Sequence, residues 1–366
     1  MHDKAISEKI DEIFSSIPHI DYHHVQQLTN SFGILQHAKF NIPNYHHGYC
    51  LDDNCRALLL ISKSITQTPS TQQRTLLNTY LSFIYYMQQE DGSFINFISI
   101  DYKFPESIGS PDSFGRTMWA LGALLENKHA SEFHSIAKEI FDRACSQIAQ
   151  LKSLRAVAYT ILGLRSFVHI YPENDKIAML KQLANYMVQQ YQGAKTEQWH
   201  WFEEIIAYDN AILPLALMDA SVYFDSEQMK TISLQAFNFL DDVLFKKQHL
   251  SIIGNEEWFQ KNKLVSEYGQ QPIEVYSIIL LYQQMFKDTG SQSYRNKKNR
   301  AFLWFFGMND QAVQVYDPLT KGCCDGLEKY GVNRNQGAES TLCFWLSYLE
   351  IYKTERKTQR SLACGM

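Results

Sequence analysis

The chain has 366 residues, 45% hydrophobic and 13% aromatic, with a formal net charge of −5. That is enough apolar material for one large core or two ordinary ones. The acidic balance, with only the short Arg295, Lys297, Lys298, Arg300 cluster as a basic run, argues against a nucleic-acid groove.

The N-terminus, MHDKAISEKIDEIFSSIP, is charged and amphipathic without an apolar export core, and no stretch reaches 18 uninterrupted apolar residues. A cytoplasmic protein with neither membrane span nor export signal is therefore expected. A first helix is predicted near 3–15, followed by a polar stretch to His47. Helices follow near 51–66, 71–89, 112–127, 130–151, 153–170, 173–192, 207–223, 226–246, 271–288, 293–306 and 337–353. Strand patterns are almost absent. The helices come in pairs: the first of each is apolar on most sides, as in RAVAYTILGLRSF or ILPLALMDASVYF, and the second carries more charge. This is the pattern of an inner helix followed by an outer one. Connections within pairs are short (TQTPS, NKH, YPEN, FDS, DTGS), whereas those between pairs are long, near 30–50, 90–111, 193–206, 247–270 and 307–336. In such an array every long connection falls at the end where the inner helices begin, so the chemically rich loops meet at one mouth. The seven cysteines show no zinc spacing and read as reduced thiols. Adjacent Cys323 and Cys324 read as small fillers of a Gly-rich turn or as a redox pair.

About six helical hairpins of this kind resemble the (α/α)6 toroid of the six-hairpin glycosidases, which implies an all-α fold with 1–366 as one domain and a disordered tail from about 355. YMQQEDGSFINF, SPDSFGRTMWALGALL, WHWFEEIIAYDNAILPLAL, QQPIEVYSIILL and GCCDGL…GVNRNQGAEST together resemble the six-hairpin module of bacterial carbohydrate loci, sometimes fused behind a glycosyltransferase. The resemblance implies a mono- or oligosaccharide ligand and a separate glycosyltransferase as candidate partner, since that domain is absent here. QQEDGSF is also similar to the repeat punctuation of terpene cyclases, which share the toroid, but no aspartate-rich DDxxD motif accompanies it.

LDDNCRALLLI sets Asp52 or Asp53 at a helix start with Arg56 one turn in, so Asp53 is either an N-cap or a ligand group. PDSFGRTMWALG repeats the layout with Asp112, Ser113, Arg116 and Trp119. An arginine so placed can hold a carboxylate or bind a pair of sugar hydroxyls through its planar fork. In WHWFEEIIAYDN, Trp199 and Trp201 bracket His200, and Glu203, Glu204, Tyr208, Asp209 and Asn210 follow. The tryptophans would either stack on sugar rings or plug the barrel end. GNEEWF and EYGQQPIE add Trp258, Gln271 and Glu274, with Pro272 marking a first helical turn. The last long loop gathers Asp317, Asp325, Asn333, Asn335, Gln336 and Glu339 among four glycines, 322, 326, 331 and 337. It is either a ligand loop or a set of self-satisfied turns. The pairs His23/His24 and His46/His47 lack metal spacing, and no phosphate-binding glycine motif occurs, so neither metal nor cofactor is expected.

The expectation is a carbohydrate-active enzyme, a glycoside hydrolase with two carboxylates in unequal environments. Asp209 and Asp53, at predicted helix starts, suit the ionised base, and Glu204, among Trp201, Phe202, Ile205 and Ile206, suits the desolvated acid. Asp112, Glu274, Asp325 and Glu339 stand in reserve. Arg56, Arg116, Trp199, His200, Trp201, Tyr208, Asn210, Trp258, Gln271, Asn333, Gln336 and Glu339 are the expected substrate contacts. Two other classes remain: a sugar epimerase of the same fold, with His200 as acid–base, and a non-catalytic glycan-binding partner of a glycosyltransferase.

Overall fold

The computed structural model describes residues 3–364, with side chains described over 4–355. Thirteen α-helices occur among the described residues: α1 (Asp3–Ser16), α2 (His23–Leu28), α3 (Leu51–Ser64), α4 (Thr71–Met87), α5 (Pro111–Glu126), α6 (His134–Ala144), α7 (Leu154–Ile170), α8 (Asn174–Ala194), α9 (Ile212–Phe224), α10 (Glu227–Leu244), α11 (Pro272–Thr289), α12 (Gln292–Leu303) and α13 (Ala338–Cys364). Helices α3, α5, α7, α9, α11 and α13 each pack on the next, and α13 returns to α3, closing an inner ring. The remaining long helices form the outer ring, where α1 closes the circle by packing on α12. The α1 end is tied to α13 by the Tyr348 hydroxyl, which donates to the Ile17 carbonyl at 2.6 Å. This is the (α/α)6 toroid.

Local signals set the boundaries. Ser70 and Gln73 form a reciprocal capping box at α4, Ser110 caps α5 ahead of Pro111, and Pro272 occupies the first turn of α11, where its missing N–H costs nothing. Three expectations shift. The helix expected over 130–151 is the shorter α6 flanked by 3-10 turns, and α2 lies inside the stretch read as polar loop. The helix expected from 207 starts at Ile212, because Asp209 is in the left-handed region (φ 47°) and cannot begin a right-handed turn. The tail expected from about 355 falls mostly on residues whose side chains lie outside the described ones, although the backbone of α13 continues to Cys364.

Helices α5 and α7 approach at backbone distance. A Cβ on Gly122 would meet the Gly163 carbonyl oxygen at 2.3 Å, and one on Gly163 would meet that of Met118 at 2.3 Å. No Cβ fits such gaps, so these glycines set the interaxial spacing.

The between-pair connections are stitched together by four two-stranded antiparallel ribbons: β1 (Ala38–Lys39) with β2 (Ile42–Pro43), β3 (Tyr49–Cys50) with β4 (Phe97–Ile98), β5 (Ile205–Ile206) with β6 (Phe259–Gln260), and β7 (Gly326–Glu328) with β8 (Gly331–Asn333). Two of them, β3–β4 and β5–β6, join the loops ahead of neighbouring inner helices, and the Gln270–Leu327 bridge joins the loop before α11 to that before α13. Six cysteines (50, 55, 145, 323, 324, 343) are buried and unbridged, and no described helix is long and apolar enough to cross a membrane.

Gly122→Ala and Gly163→Ala should each destabilise the protein by about 1–3 kcal/mol, since backbone rather than a flexible side chain must move. Gly193→Ala, at a helical position with open space around it, should be neutral or stabilising by about 0.5–1 kcal/mol. Urea midpoints for the three variants check both expectations.

Candidate active site at the mouth of the toroid

The first two turns of α3, α5 and α7 each present an arginine into the barrel, and each is buried and paired with at least one carboxylate. Arg56 donates to Asp53 (2.8 Å) and pairs with Glu339 (2.6 Å) at the start of α13. Arg116 donates to Asp52 (2.9 Å), reaches Asp209 (3.4 Å) and donates to the Tyr159 hydroxyl (2.7 Å), which itself donates to Asp209. Arg155 donates to Glu203 (2.8 Å) and to the Tyr208 carbonyl. Glu274, at the start of α11, accepts from the Asp209 and Asn210 backbone N–H groups and from the Asn210 side chain (3.1 Å). These bonds link α3 to α13 and α5, α5 to α7, and α11 to the turn ahead of α9, and Ser153 (2.8 Å) and Tyr208 donate to Asp112, so Asp53, Asp112, Asp209 and Glu274 share one end of the barrel, and Asp325 arrives from the last long loop.

Two cavities open there. One, of about 360 Å³, is lined by Asp53, Asp325, Asn333, Glu339, His37 and Phe97 among others. The second, of about 590 Å³, is lined by Asp112, Ser153, Tyr208 and Trp258. Asp52, Arg56, Gln271 and Glu339 belong to both and form the ridge between them. Below lies a narrow floor of Cys55, Trp119, Tyr276 and Cys343, where Trp119 stacks between Tyr159 (5.9 Å) and Tyr276 (6.0 Å). The Tyr276 hydroxyl is buried there without a hydrogen-bond partner among the described residues.

Environment separates the carboxyls. Burial, and then the nearby Glu339 charge, push the Asp325 carboxyl up to about 6 against the pull of the Gly337 N–H (2.8 Å) and the Ser340 hydroxyl; no ion pair joins it to a cation among the described residues. Burial raises Asp53 to about 7 despite Arg56 beside it, and burial and the Asp209 charge raise Glu274 to about 8. Glu339 is instead held as an ion pair on Arg56. His37, on the cavity wall with its ring 4.7 Å from that of His47, has its pKa lowered by burial first and by His47 second.

Several expected roles do not survive this geometry. Glu204 is no desolvated acid: its side chain is 68% exposed and paired with Lys261 at 2.9 Å, because the β5–β6 ribbon turns it outward. Trp201 is fully buried, and Trp199 is buried with its indole N–H on the Glu203 carbonyl (2.7 Å), so these two plug the barrel wall; of the loop tryptophans, Trp258 lines one of the two cavities at the mouth. His200 lies against Tyr191 and Phe239, away from both cavities. Asn210 and Glu274 are buried in a bonded network that shapes the Asp209 turn and line neither cavity. Gln336 is spent on Asp317 and Thr320, and neither it nor Asn210 faces a ligand space. Asp53 is not an N-cap, since Cys50 holds that position, and Asp209 sits on the floor rather than at a helix start. Arg56, Arg116, Tyr208, Gln271, Asn333 and Glu339 do line the cavities, as do Asp53, Asp112 and Asp325.

Reading the sequence missed Arg155, Tyr159, Tyr276 and Ser340. Arg155 had a signal: it is the third arginine to open an inner helix. Tyr159 and Tyr276 had none, since a tyrosine in an apolar helix reads as core.

No family model and no curated protein matches this sequence. Solved structures match the fold over nearly the whole chain. They include cellobiose 2-epimerase from Bacillus thermoamylovorans (TM-score 0.71, 9% identity, 94% of this chain and 99% of that one) and D-mannose isomerase (0.69, 10%, 96% and 99%). The GH76 α-mannanase of Bacteroides thetaiotaomicron matches as well (0.63, 11%, 97% of both). Hydrolases and isomerases of sugars thus share this toroid, and at such identities the likeness establishes the fold.

Trp201→Ala should cost about 3–5 kcal/mol of stability as a fully buried large-to-small change, while Trp258→Ala should leave the melting temperature nearly unchanged. Glu274 has a folded pKa (about 8) above the ordinary unfolded carboxylate value of about 4, so its stabilising contribution is complete below pH 4 and is lost as pH rises through about 8. Stability of the parent relative to Glu274→Gln should therefore fall between pH 4 and pH 8. A pH-independent difference in thermal midpoints would contradict the burial of that proton.

Proposed function

We propose that this chain is a glycoside hydrolase in which Asp325 is the general acid and Glu339 the base or nucleophile. The observation that carries the reading is the unequal pair on one cavity wall: Asp325 retains its proton to about pH 6 and has no ion pair among the described residues, while Glu339 is fixed on Arg56 at 2.6 Å. The fold neighbours act on sugars, by their names as epimerases, an isomerase and a mannanase, which supports a carbohydrate ligand. The lining supports it independently. Asn333 and Gln271 offer donors and acceptors, Trp258 and Tyr208 offer ring faces, and both cavity arginines are already neutralised by carboxylates, which disfavours an anionic ligand.

A glycan would place its units in the two cavities with the scissile bond over the ridge that bears Glu339. Asp325 gives its proton to the bridging oxygen as the bond to the anomeric carbon breaks. Glu339 either takes a proton from the attacking water or bonds the anomeric carbon first. The anomeric form of the first product, followed by NMR, tells which.

Asp325→Asn should lower hydrolysis of natural glycosides by about 10²–10⁴-fold with little change in affinity, and aryl glycosides with good leaving groups should recover much of that loss. The alkaline limb of the pH–rate profile, falling through about 6, should disappear in this variant. Glu339→Gln should not be rescued by leaving-group activation. Full activity in both variants would refute the assignment.

Isomerisation is the second reading, favoured by the TM-score of 0.71 to the epimerase and by His37, a neutral-leaning imidazole on the same cavity wall. It predicts a sugar product of unchanged mass and abolition of that product by His37→Asn, whereas hydrolysis would survive that change.

A further inference from the structure

Four aromatic side chains stand out on the same side of the barrel as the mouth. Tyr45, Tyr86, Tyr102 and Phe104 are between 41% (Phe104) and 56% (Tyr102) exposed, an unusual concentration of solvent-facing rings on a chain whose other aromatics are mostly interior. Tyr86, Tyr102 and Phe104 form one group, and Tyr45 lies on the connection that leads to Tyr49. The Tyr86 ring stacks on Phe104 (6.1 Å, 23°), and Tyr86 and Tyr102 both meet Phe32 edge-on, at 5.6 and 4.8 Å. Phe32 in turn packs edge-on against Tyr49 at 5.0 Å. Tyr102 is held in the left-handed region (φ 61°), a conformation that a bulky residue adopts only when its surroundings impose it.

The group is continuous with the cavity at two places. In the β3–β4 ribbon, Phe97 and Cys50 pair with each other and both line the smaller cavity, while the next pair, Ile98 and Tyr49, leads to the rings. Tyr45 opens the short helix Tyr45–His47, and His47 touches the cavity residue His37. The rings therefore begin one ribbon residue from the cavity that holds Asp325 and Glu339.

We infer that this aromatic rim is an extension of the binding site, which takes sugar units of a glycan beyond those seated in the two cavities. The ligand is then an oligosaccharide of several units rather than a mono- or disaccharide. The inference rests on the carbohydrate reading above. A glycan is favoured over a protein partner by the chemistry of the surface. Three of the four rings are tyrosines, whose flat faces suit the apolar sides of sugar rings and whose hydroxyls suit their hydroxyls, and the surface leads into a polar cavity of sugar-sized volume.

The test uses Tyr86→Ala and Phe104→Ala, singly and together, neither residue belonging to the catalytic pair. The parent and the variants, each also carrying Asp325→Asn to prevent turnover, are applied to arrays of printed oligosaccharides from two to ten units, with thermal midpoints measured alongside. Retention of glycans of five or more units should fall about 10-fold per lost ring, with retention of the matching disaccharides unchanged. Equal retention of long glycans by parent and variants overturns the rim and leaves the cavity reading intact. Loss of short and long glycans alike also overturns it, as does a shift from dimer to monomer on light scattering, which would make the rim an interface between copies. Retention of no glycan by the parent overturns both readings. Failure of the carbohydrate reading is thus distinguishable from failure of the rim.

Discussion

Three buried arginines hold the mouth of this barrel together. Asp52, Asp53, Asp209, Glu203 and Glu339 crowd into one space, and Coulomb repulsion among carboxylates at such separations would open it were Arg56, Arg116 and Arg155 not interleaved. Burying either sign alone costs several kcal/mol per ion, so neither set is stable without the other, and loss of Arg56 or of Arg116 leaves two acids without their shared cation. The same pairing distributes chemical roles. The Arg56 guanidinium orients Glu339, while burial raises the carboxyl of Asp325, outside the network, to about 6 and that of Asp53, despite Arg56 beside it, to about 7.

The position of those arginines follows from packing further down the helices. Gly122 against Gly163 brings α5 and α7 to backbone contact, which in turn sets Arg116 4.3 Å over the Tyr159 ring and lets the phenol bridge guanidinium and Asp209. A wider spacing would separate Arg116 from Tyr159 and leave Asp209 uncompensated. Helix spacing, set by absent side chains, is thus a condition of the electrostatics one to two turns away.

The architecture was legible in the sequence because it depends on periodicity and loop length, both of which are local. Pro272 marked a helix start, the helices expected from 71 and 112 begin at Thr71 and Pro111, and the short-then-long alternation of connections put the loops that carry Asp53, Asp112, Asp209 and Glu274 at one end. Orientation was not legible. Glu204 and Asp325 sit in equally mixed company along the chain, yet a two-residue strand turns one to solvent and Lys261, and a glycine-rich ribbon turns the other into a cavity. Trp199 and Trp201 likewise look like ligand contacts in a loop, and only the surrounding Phe239, Phe259 and Tyr191–Phe202 packing shows that they fill the wall. Facing is a property of tertiary neighbours, which one sequence does not encode locally.

Two residues of the mouth adopt left-handed backbone conformations that cost non-glycine residues about 1–3 kcal/mol each: Asp209 (φ 47°) and Trp258 (φ 60°). For Asp209 the compensation is visible. Glu274 accepts both backbone N–H groups of the turn, and Arg116 and Tyr159 hold its carboxylate, so the conformation is over-determined from three helices. Trp258 is fixed by its own N–H on the Gly254 carbonyl (3.1 Å) and by its carbonyl, which accepts from Ser266, and its ring meets Tyr208 at 6.0 Å. Both residues are thereby set before any ligand arrives, one beneath the ridge and one beside it. A mouth built this way spends little ordering entropy on binding, and the strain it carries is balanced by folding contacts rather than by the ligand. Glu274, which touches no ligand space, is consequently as necessary to the mouth as the residues that line it.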